Sequence, residues 1–372
     1  MTAGRDDHAP AARGDRLTWE IVEALPPEGG PAADIVYRRR ELRPRAQRRV
    51  VPRDAADAFV AASLAALART APPRAWEAWC RRLAASPIRR PREDVAHLRA
   101  GLAAAGLAAP ADPRAVVDRL RAGYFRQQML TAAELAGRLD PAIDFPADDL
   151  ARLRAAIDRG RGAILWVDDT FSGPLLSKRA LAAAGLPPAH VSSHLHGVSL
   201  SRFGVAVLNP GVIRAENRHL AERLVFEGGE TADVMRRVLR TLRAGGVVTM
   251  TNGLFSGGGF IETPFGPDGW VSLSTGAPGL ALRHGAALFP LAAIEVEPFR
   301  RYRIALGPEA APAERGTGNA AVAALARGVA AGLRERVRAF PEQYPGILGG
   351  RFSATRFPKE RGLTIKPVDI VE

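Results

Sequence analysis

Apolar positions along this chain fall into two textures. Between residues 54 and 140 they recur at helical spacing in Ala-rich segments. "DAADAFVAASLAALART" opens on Asp54, a residue type that caps helices, and sets Val60, Leu64 and Leu67 on one face. "DPRAVVDRLRAGYFRQQMLTAAELAG" continues the helical character. From about residue 147 helices alternate with unbroken apolar runs. "ADDLARLRAAIDRG" predicts a helix with Leu150, Leu153 and Ile157 inward and Gly160 near its end. "GAILWV" (162–167), "FGVAVLN" (203–209) and "GVVTMTNG" (246–253) predict strands covered on both faces. Helices are predicted in "GPLLSKRALAAAG", "AENRHLAERLVF" and "ETADVMRRVLRTLRAGG", the last with Val234, Met235, Val238, Leu239 and Leu242 in one stripe. Then come a helix in "TGAPGLALRHG", strands in "AALFPLAAIEV" and "RRYRIALG", and a closing helix with Val322, Leu325, Val329, Leu333 and Val337 near helical spacing. This alternation predicts the α/β class: an αβα sandwich with a mainly parallel sheet, preceded by a helical N-terminal portion.

The same texture divides the chain. Residues 1–16 are polar, small and charged, and are expected to be disordered. Residues 17–146 hold a basic arm, "YRRRELRPRAQRR", and the helical portion; 147–350 form the α/β domain; 351–372 are a tail. The formal net charge of +13 suits an anionic partner such as a membrane surface or phosphorylated substrate. The Arg run lacks the aromatic interleaving and motifs of nucleic-acid readers, so nucleic acid is not the expected partner. One cysteine, Cys80, excludes an internal disulfide and a cysteine-based zinc site. No run reaches the roughly 20 apolar residues of a membrane span, and the first residues show no apolar leader, so any membrane contact is expected to be peripheral.

Several chemistries are absent as motifs. There is no GxxxxGK[ST] loop, no GxSxG elbow and no His pair of the zincin type, and "SGGGF" does not open a helix. No cofactor and no metal are called for. What stands out is "LWVDDTFSGPLL" (165–176), an apolar run delivering Asp168, Asp169 and Thr170 into a turn before a helix. The loop "HVSSHLHGVSLSRFG" (190–204) can reach the same sheet edge. His196, beside Gly197, then becomes a candidate base with Asp169 as its carboxylate. Arg202 is a candidate for an anionic headgroup or phosphate, and Thr251 and Asn252, ending the third strand, are candidate pocket residues. A metal held by His194, His196 and Asp169, or a plain polar loop, are the other readings of the same histidines.

Residues 150–350 carry a resemblance. "FIETPFG", then "STGAPGLALRHGAALFPL", a strand ending "YRIALGP", and a closing helix followed by "FPEQYPG" (Pro341, Glu342, Gln343, Tyr344) resemble the bacterial lipid A lauroyl/myristoyl acyltransferases of the lysophospholipid-acyltransferase superfamily. "GRGAILWV" and "LLSKRALAAAGLP" resemble that family's first strand and helix. The resemblance implies a glycerolipid-acyltransferase-like sandwich. It also implies transfer of an acyl chain from a thioester, on acyl carrier protein or coenzyme A, to a lipid or glycolipid at the cytoplasmic face of the inner membrane. The family's catalytic signature, His, four residues, then Asp or Glu, is missing. One register puts Thr170 and Leu175 at those places, another Asp169 and Pro174. The seven histidines (8, 97, 190, 194, 196, 219 and 284) are followed five positions on by Arg13, Leu102, Leu195, Ser199, Ser201, Leu224 and Phe289, so the signature occurs nowhere. Two expectations follow: a divergent acyltransferase using Asp169 and His196 as catalytic residues, with Asp168, Thr170, Arg202, Thr251 and Asn252 binding substrate; or a catalytically inactive relative that binds lipid or acyl carrier protein as a scaffold subunit.

Overall fold

The computed structural model describes residues 19–25, 34–41, 48–86, 94–226, 231–252, 259–267, 269–311, 318–348 and 351–353. The expected N-terminal disorder (1–16), most of the expected tail, and "SGG" (256–258) lie outside them. In chain order the first elements are β1 (Trp19–Leu25), β2 (Ile35–Glu41), α1 (Pro52–Thr70), α2 (Trp76–Ala85), α3 (Asp94–Ala104) and α4 (Pro113–Leu135). Next come β3 (Ala142–Asp144), α5 (Ala147–Ala156), β4 (Ala163–Val167), α6 (Gly173–Ala183), β5 (Ala189–Ser193), α7 (Asn209–Asn217) and β6 (Glu222–Phe226). The rest are α8 (Thr231–Arg243), β7 (Val247–Thr251), β8 (Gly259–Gly266), β9 (Gly269–Ser274), α9 (Gly276–His284), β10 (Ala287–Glu297), β11 (Arg301–Leu306), α10 (Asn319–Ala339) and β12 (Phe352–Ser353).

A seven-stranded sheet runs β3-β11-β10-β4-β7-β5-β6, parallel except for the β10–β11 pair. β4 lies in its middle and is buried at every residue, as a strand covered on both faces must be. Its side chains alternate between two cores. Ile164 and Trp166 face α8 and α10 together with a second sheet; Ala163, Leu165 and Val167 face α1, α2, α4 and α6. The α/β class with a mainly parallel sheet is therefore as expected.

Several elements differ from the sequence expectation. "FGVAVL" is not a strand: Gly204–Leu208 form a π-type turn that leads into α7, where Pro210 occupies the first helical turn. The second strand is instead β5, more polar than the pattern sought, and "ERLVF", expected as helix, is the edge strand β6. The start of the expected basic arm lies in β2, which pairs with β1 on one side and β8 on the other in an antiparallel sheet ordered β1-β2-β8-β9-β12; residues 42–47 of the Arg run are outside the described residues. Tyr37 stacks on Phe260 at 4.8 Å across that pairing. Finally, Asp54 is not the N-cap of α1. The cap is Val51, and Asp54 reaches back from the first turn to accept its N–H at 2.8 Å. Among the described residues, no helix is long and apolar enough to cross a membrane.

Candidate functional site

β4 and β7 end level, Val167 opposite Thr251, so Asp168 and Asn252 emerge together at the carboxyl edge of the sheet. Asp168 is fully buried and its oxygens are saturated. Arg336 of α10 donates Nε to Oδ2 (2.7 Å) and Nη2 to Oδ1 (3.1 Å). The Tyr344 hydroxyl donates to Oδ2 (2.9 Å) and Asn252 Nδ2 to Oδ1 (2.7 Å). Arg351 in turn donates to the Asn252 side chain at 2.7 Å. Burial opposes the Arg336 charge, but Asp168 outweighs it and drives that guanidinium's pKa above its ordinary value. Such a carboxylate anchors α10 to the sheet and has no lone pair left for a substrate.

Thr170 is also used internally. It is buried, donates to the Ala293 carbonyl (3.0 Å) and accepts the Gly173 N–H (3.0 Å), while Ser172 donates to the same carbonyl (2.8 Å). These bonds staple the turn to β10 and start α6. Asp169 behaves differently. It is half-buried and, among the described residues, accepts no hydrogen bond. Burial pushes its carboxyl upward, Arg351 opposes, and Asp168 adds to the rise. A desolvated carboxylate of this kind at a sheet edge can hold or move a proton. Thr251 lies beside it, part-buried at the end of β7.

His196 does not meet Asp169. Its Nε2 bonds Glu216 of α7 instead, 3.0 Å to Oε1 and 3.1 Å to Oε2. The separation has a plain geometric cause. β7 runs between β4 and β5, putting two strand spacings, about 9–10 Å, between the two edges. Asp168 and the Glu216 cluster also fall on opposite faces of the sheet. Ala189 and Val248 pack toward α8, so His190 and Thr249, one residue on and bonded at 3.0 Å, face α6 and α7. Glu216 lies on that second face with Lys178 of α6 (2.7 Å) and Arg223 of β6. Asp168 sits on the first, against α10.

Glu216 is buried and ionised. Burial disfavours its charge, but Lys178, His196 and Arg223 outweigh burial and hold it well below the usual carboxylate range. Burial in turn pushes Lys178 down to about 8, against the pull of Glu216. The His196 ring is 26% exposed, with Nε2 on the carboxylate and Nδ1 left as the proton acceptor. The loop that carries it is braced by hydrogen bonds. Asn209 accepts the N–H groups of Val198 and Ser199 (2.9 and 3.1 Å), and Ser199 and Ser201 each donate to Asp54 at 2.6 Å.

Of the remaining candidates, His194 is exposed and bonds the Phe226 carbonyl, and no group of His, Cys, Asp or Glu suited to a metal occurs among the described residues. The Arg202 N–H donates to the Arg48 carbonyl and its side chain is exposed. The partner that sequence reasoning missed is Glu216, twenty positions from His196 within what reads as a surface helix; its burial is the signal, and burial is not visible in a sequence. No protein-family model matches the chain, and no curated protein matches it either.

Proposed function

We propose that this chain is a divergent acyltransferase in which His196, oriented by Glu216, replaces the His–carboxylate signature missing from the first turn. One observation carries this: a part-exposed imidazole at the carboxyl edge of a parallel sheet, with one nitrogen on a buried, ionised carboxylate. That arrangement fixes the ring's orientation and tautomer and leaves Nδ1 to accept a proton. The ordered resemblance over 150–350 and the mainly parallel α/β architecture support a glycerolipid-acyltransferase-like sandwich.

His196 Nδ1 takes the proton of an acceptor hydroxyl as its oxygen attacks the thioester carbonyl; the C–O bond forms, the C–S bond breaks, and the proton leaves with the thiol. The donor is an acyl thioester on acyl carrier protein or coenzyme A, and the acceptor a lipid or glycolipid hydroxyl at the cytoplasmic membrane surface. No cofactor or metal enters. Transfer of labelled acyl groups from either carrier to a lipid extract tests the reading. Product should form with wild type and fall roughly 10²–10⁴-fold in His196→Ala, as for loss of a general base. Absence of product with wild type overturns the proposal; undiminished product in His196→Ala overturns the assignment of the base.

A second reading has its own observation. The position of the family's histidine falls on Thr170 in one register and Asp169 in the other, and Thr170 is spent on internal bonds. A chain that keeps the fold but binds lipid or acyl carrier protein without turnover gives that result. Native mass spectrometry then finds the bound partner, and the assay finds no product.

A further inference from the structure

Among the described residues a few large apolar side chains are exposed, and three of them, Val50, Leu200 and Val207 (60, 41 and 57%), lie on adjoining segments. Backbone bonds hold the segments that carry them together. Arg202 N–H donates to the Arg48 carbonyl and Phe203 N–H to that of Arg49, both at 3.0 Å, which sets Val50 beside the turn that bears Val207. Ser199 and Ser201 clamp Asp54 on either side of Leu200, fixing it next to the start of α1. Arg48, Arg49 and Arg202 are exposed on the same stitched segments. Among the described residues, the side chains of Arg49 and Arg202 pair with no carboxylate, so their charge is available outward.

We infer that Val50, Leu200 and Val207, flanked by Arg49 and Arg202, form the surface by which the chain docks on an anionic lipid bilayer. Apolar side chains projecting from braced backbone enter the boundary between headgroups and acyl chains, while the flanking guanidinium groups engage lipid phosphates. Isolated exposed apolar residues need no explanation, but three on adjoining segments with uncompensated cations do. The charge complementarity favours a bilayer over a neutral protein partner, and the net charge of +13 points the same way. Leu200 lies four residues after His196 in the same braced loop, so docking brings the His196–Glu216 pair to the lipid surface. That last link rests on the acyltransferase reading; the docking surface does not.

The test is co-sedimentation of the full chain with vesicles of phosphatidylcholine mixed with phosphatidylglycerol, and with phosphatidylcholine alone. Wild type should bind the anionic vesicles, release with added salt, and bind the neutral ones far less. Leu200→Asp combined with Val207→Asp, and separately Arg49→Glu combined with Arg202→Glu, should each weaken binding roughly tenfold or more. A Leu200→Trp variant should keep binding and shift its added fluorescence to the blue on anionic vesicles, which reads insertion even where an acidic variant folds poorly. Failure of wild type to bind, unchanged binding in both double variants, or an unshifted Leu200→Trp signal overturns the inference. Vesicle binding without acyl product leaves the surface standing and removes the enzyme reading. Acyl transfer to detergent-dispersed lipid without vesicle binding does the reverse.

Discussion

Replacing Glu216 and replacing Asp169 should move stability in opposite directions, because the fold treats the two carboxylates oppositely. Glu216 has its native pKa held well below its ordinary value of 4.5, so the unfolded chain takes up a proton first as pH falls. Its contribution is complete above about pH 4.5 and lost as pH drops through the native value. Glu216→Gln leaves Lys178 and Arg223 without their buried counter-charge and should cost about 3–5 kcal/mol at neutral pH, read from urea unfolding. Asp169 is the reverse. Its native pKa is raised above 3.8, so as pH rises the unfolded chain ionises first and the native state is left holding a proton. Stability therefore falls through that window. Asp169→Asn should stabilise the chain at pH 7, with the gain shrinking to nothing as pH falls below about 3.8. Loss of stability in Asp169→Asn would mean that the carboxylate is held by a partner. Gly197 fixes the third residue of interest. Its φ of 142° suits glycine, and an added Cβ would lie 2.2 Å from the Asn209 side chain. Asn209 cannot yield, being bonded to Val198 and Ser199. Gly197→Ala should cost about 1–3 kcal/mol and, by displacing His196, lower any transfer rate more than it lowers acceptor affinity.

At the scale of elements, α10 is tied to β4 through one carboxylate. Asp168→Ala strands the Arg336 guanidinium, whose side chain is only 15% exposed, and frees Tyr344 and Asn252. Loss of about 3–5 kcal/mol in denaturant unfolding is the expected result, with faster amide exchange in α10 than in α5. Tyr344→Phe removes one bond to the same oxygen and should cost about 1 kcal/mol. This anchor was half legible in the sequence. Unbroken apolar runs announce β4, β7 and β10, because strands buried on both faces admit nothing else, and the residues leaving β4 and β7 stood out as candidates. Their partners did not, since Arg336 arrives from α10 and Tyr344 from the segment after it, 168 and 176 positions away. The failures have physical causes too. "FGVAVL" has strand composition, but Pro210 follows immediately and the chain turns into a helix. β5 escapes notice because His190 and Ser192 interrupt its pattern, and the fold makes room for His190 by bonding it to Thr249. β8 and β9 belong to an antiparallel sheet that the alternation of helix and strand gives no reason to expect.

At the scale of the whole molecule, the two sheets share one core. Val36, Ile261, Phe265, Val271 and Leu273 of the antiparallel sheet lie in the same apolar cluster as Ile164, Trp166 and Val248 of the parallel one. α10 joins them, with Leu325, Val329, Leu333 and Val337 all buried in that cluster. Packing is close elsewhere between the layers: a Cβ on Gly269 would fall 1.8 Å from the Ala104 carbonyl oxygen of α3. A core common to both sheets leaves neither with an apolar face it can afford to expose alone, so they should unfold together. Trp166 on β4 and Trp270 on β9 report on the two sheets separately. With fluorotryptophan incorporated, and the two resonances assigned through Trp166→Phe and Trp270→Phe, both should follow one urea midpoint. Leu333→Ala, at a fully buried position of α10, should lower stability by about 2–5 kcal/mol and shift both resonances equally. If Trp270 lost its native signal first, the antiparallel sheet would be an independently melting unit, and the strands contributed by residues 19–41 would be accessory to the parallel sheet that carries the His196–Glu216 pair.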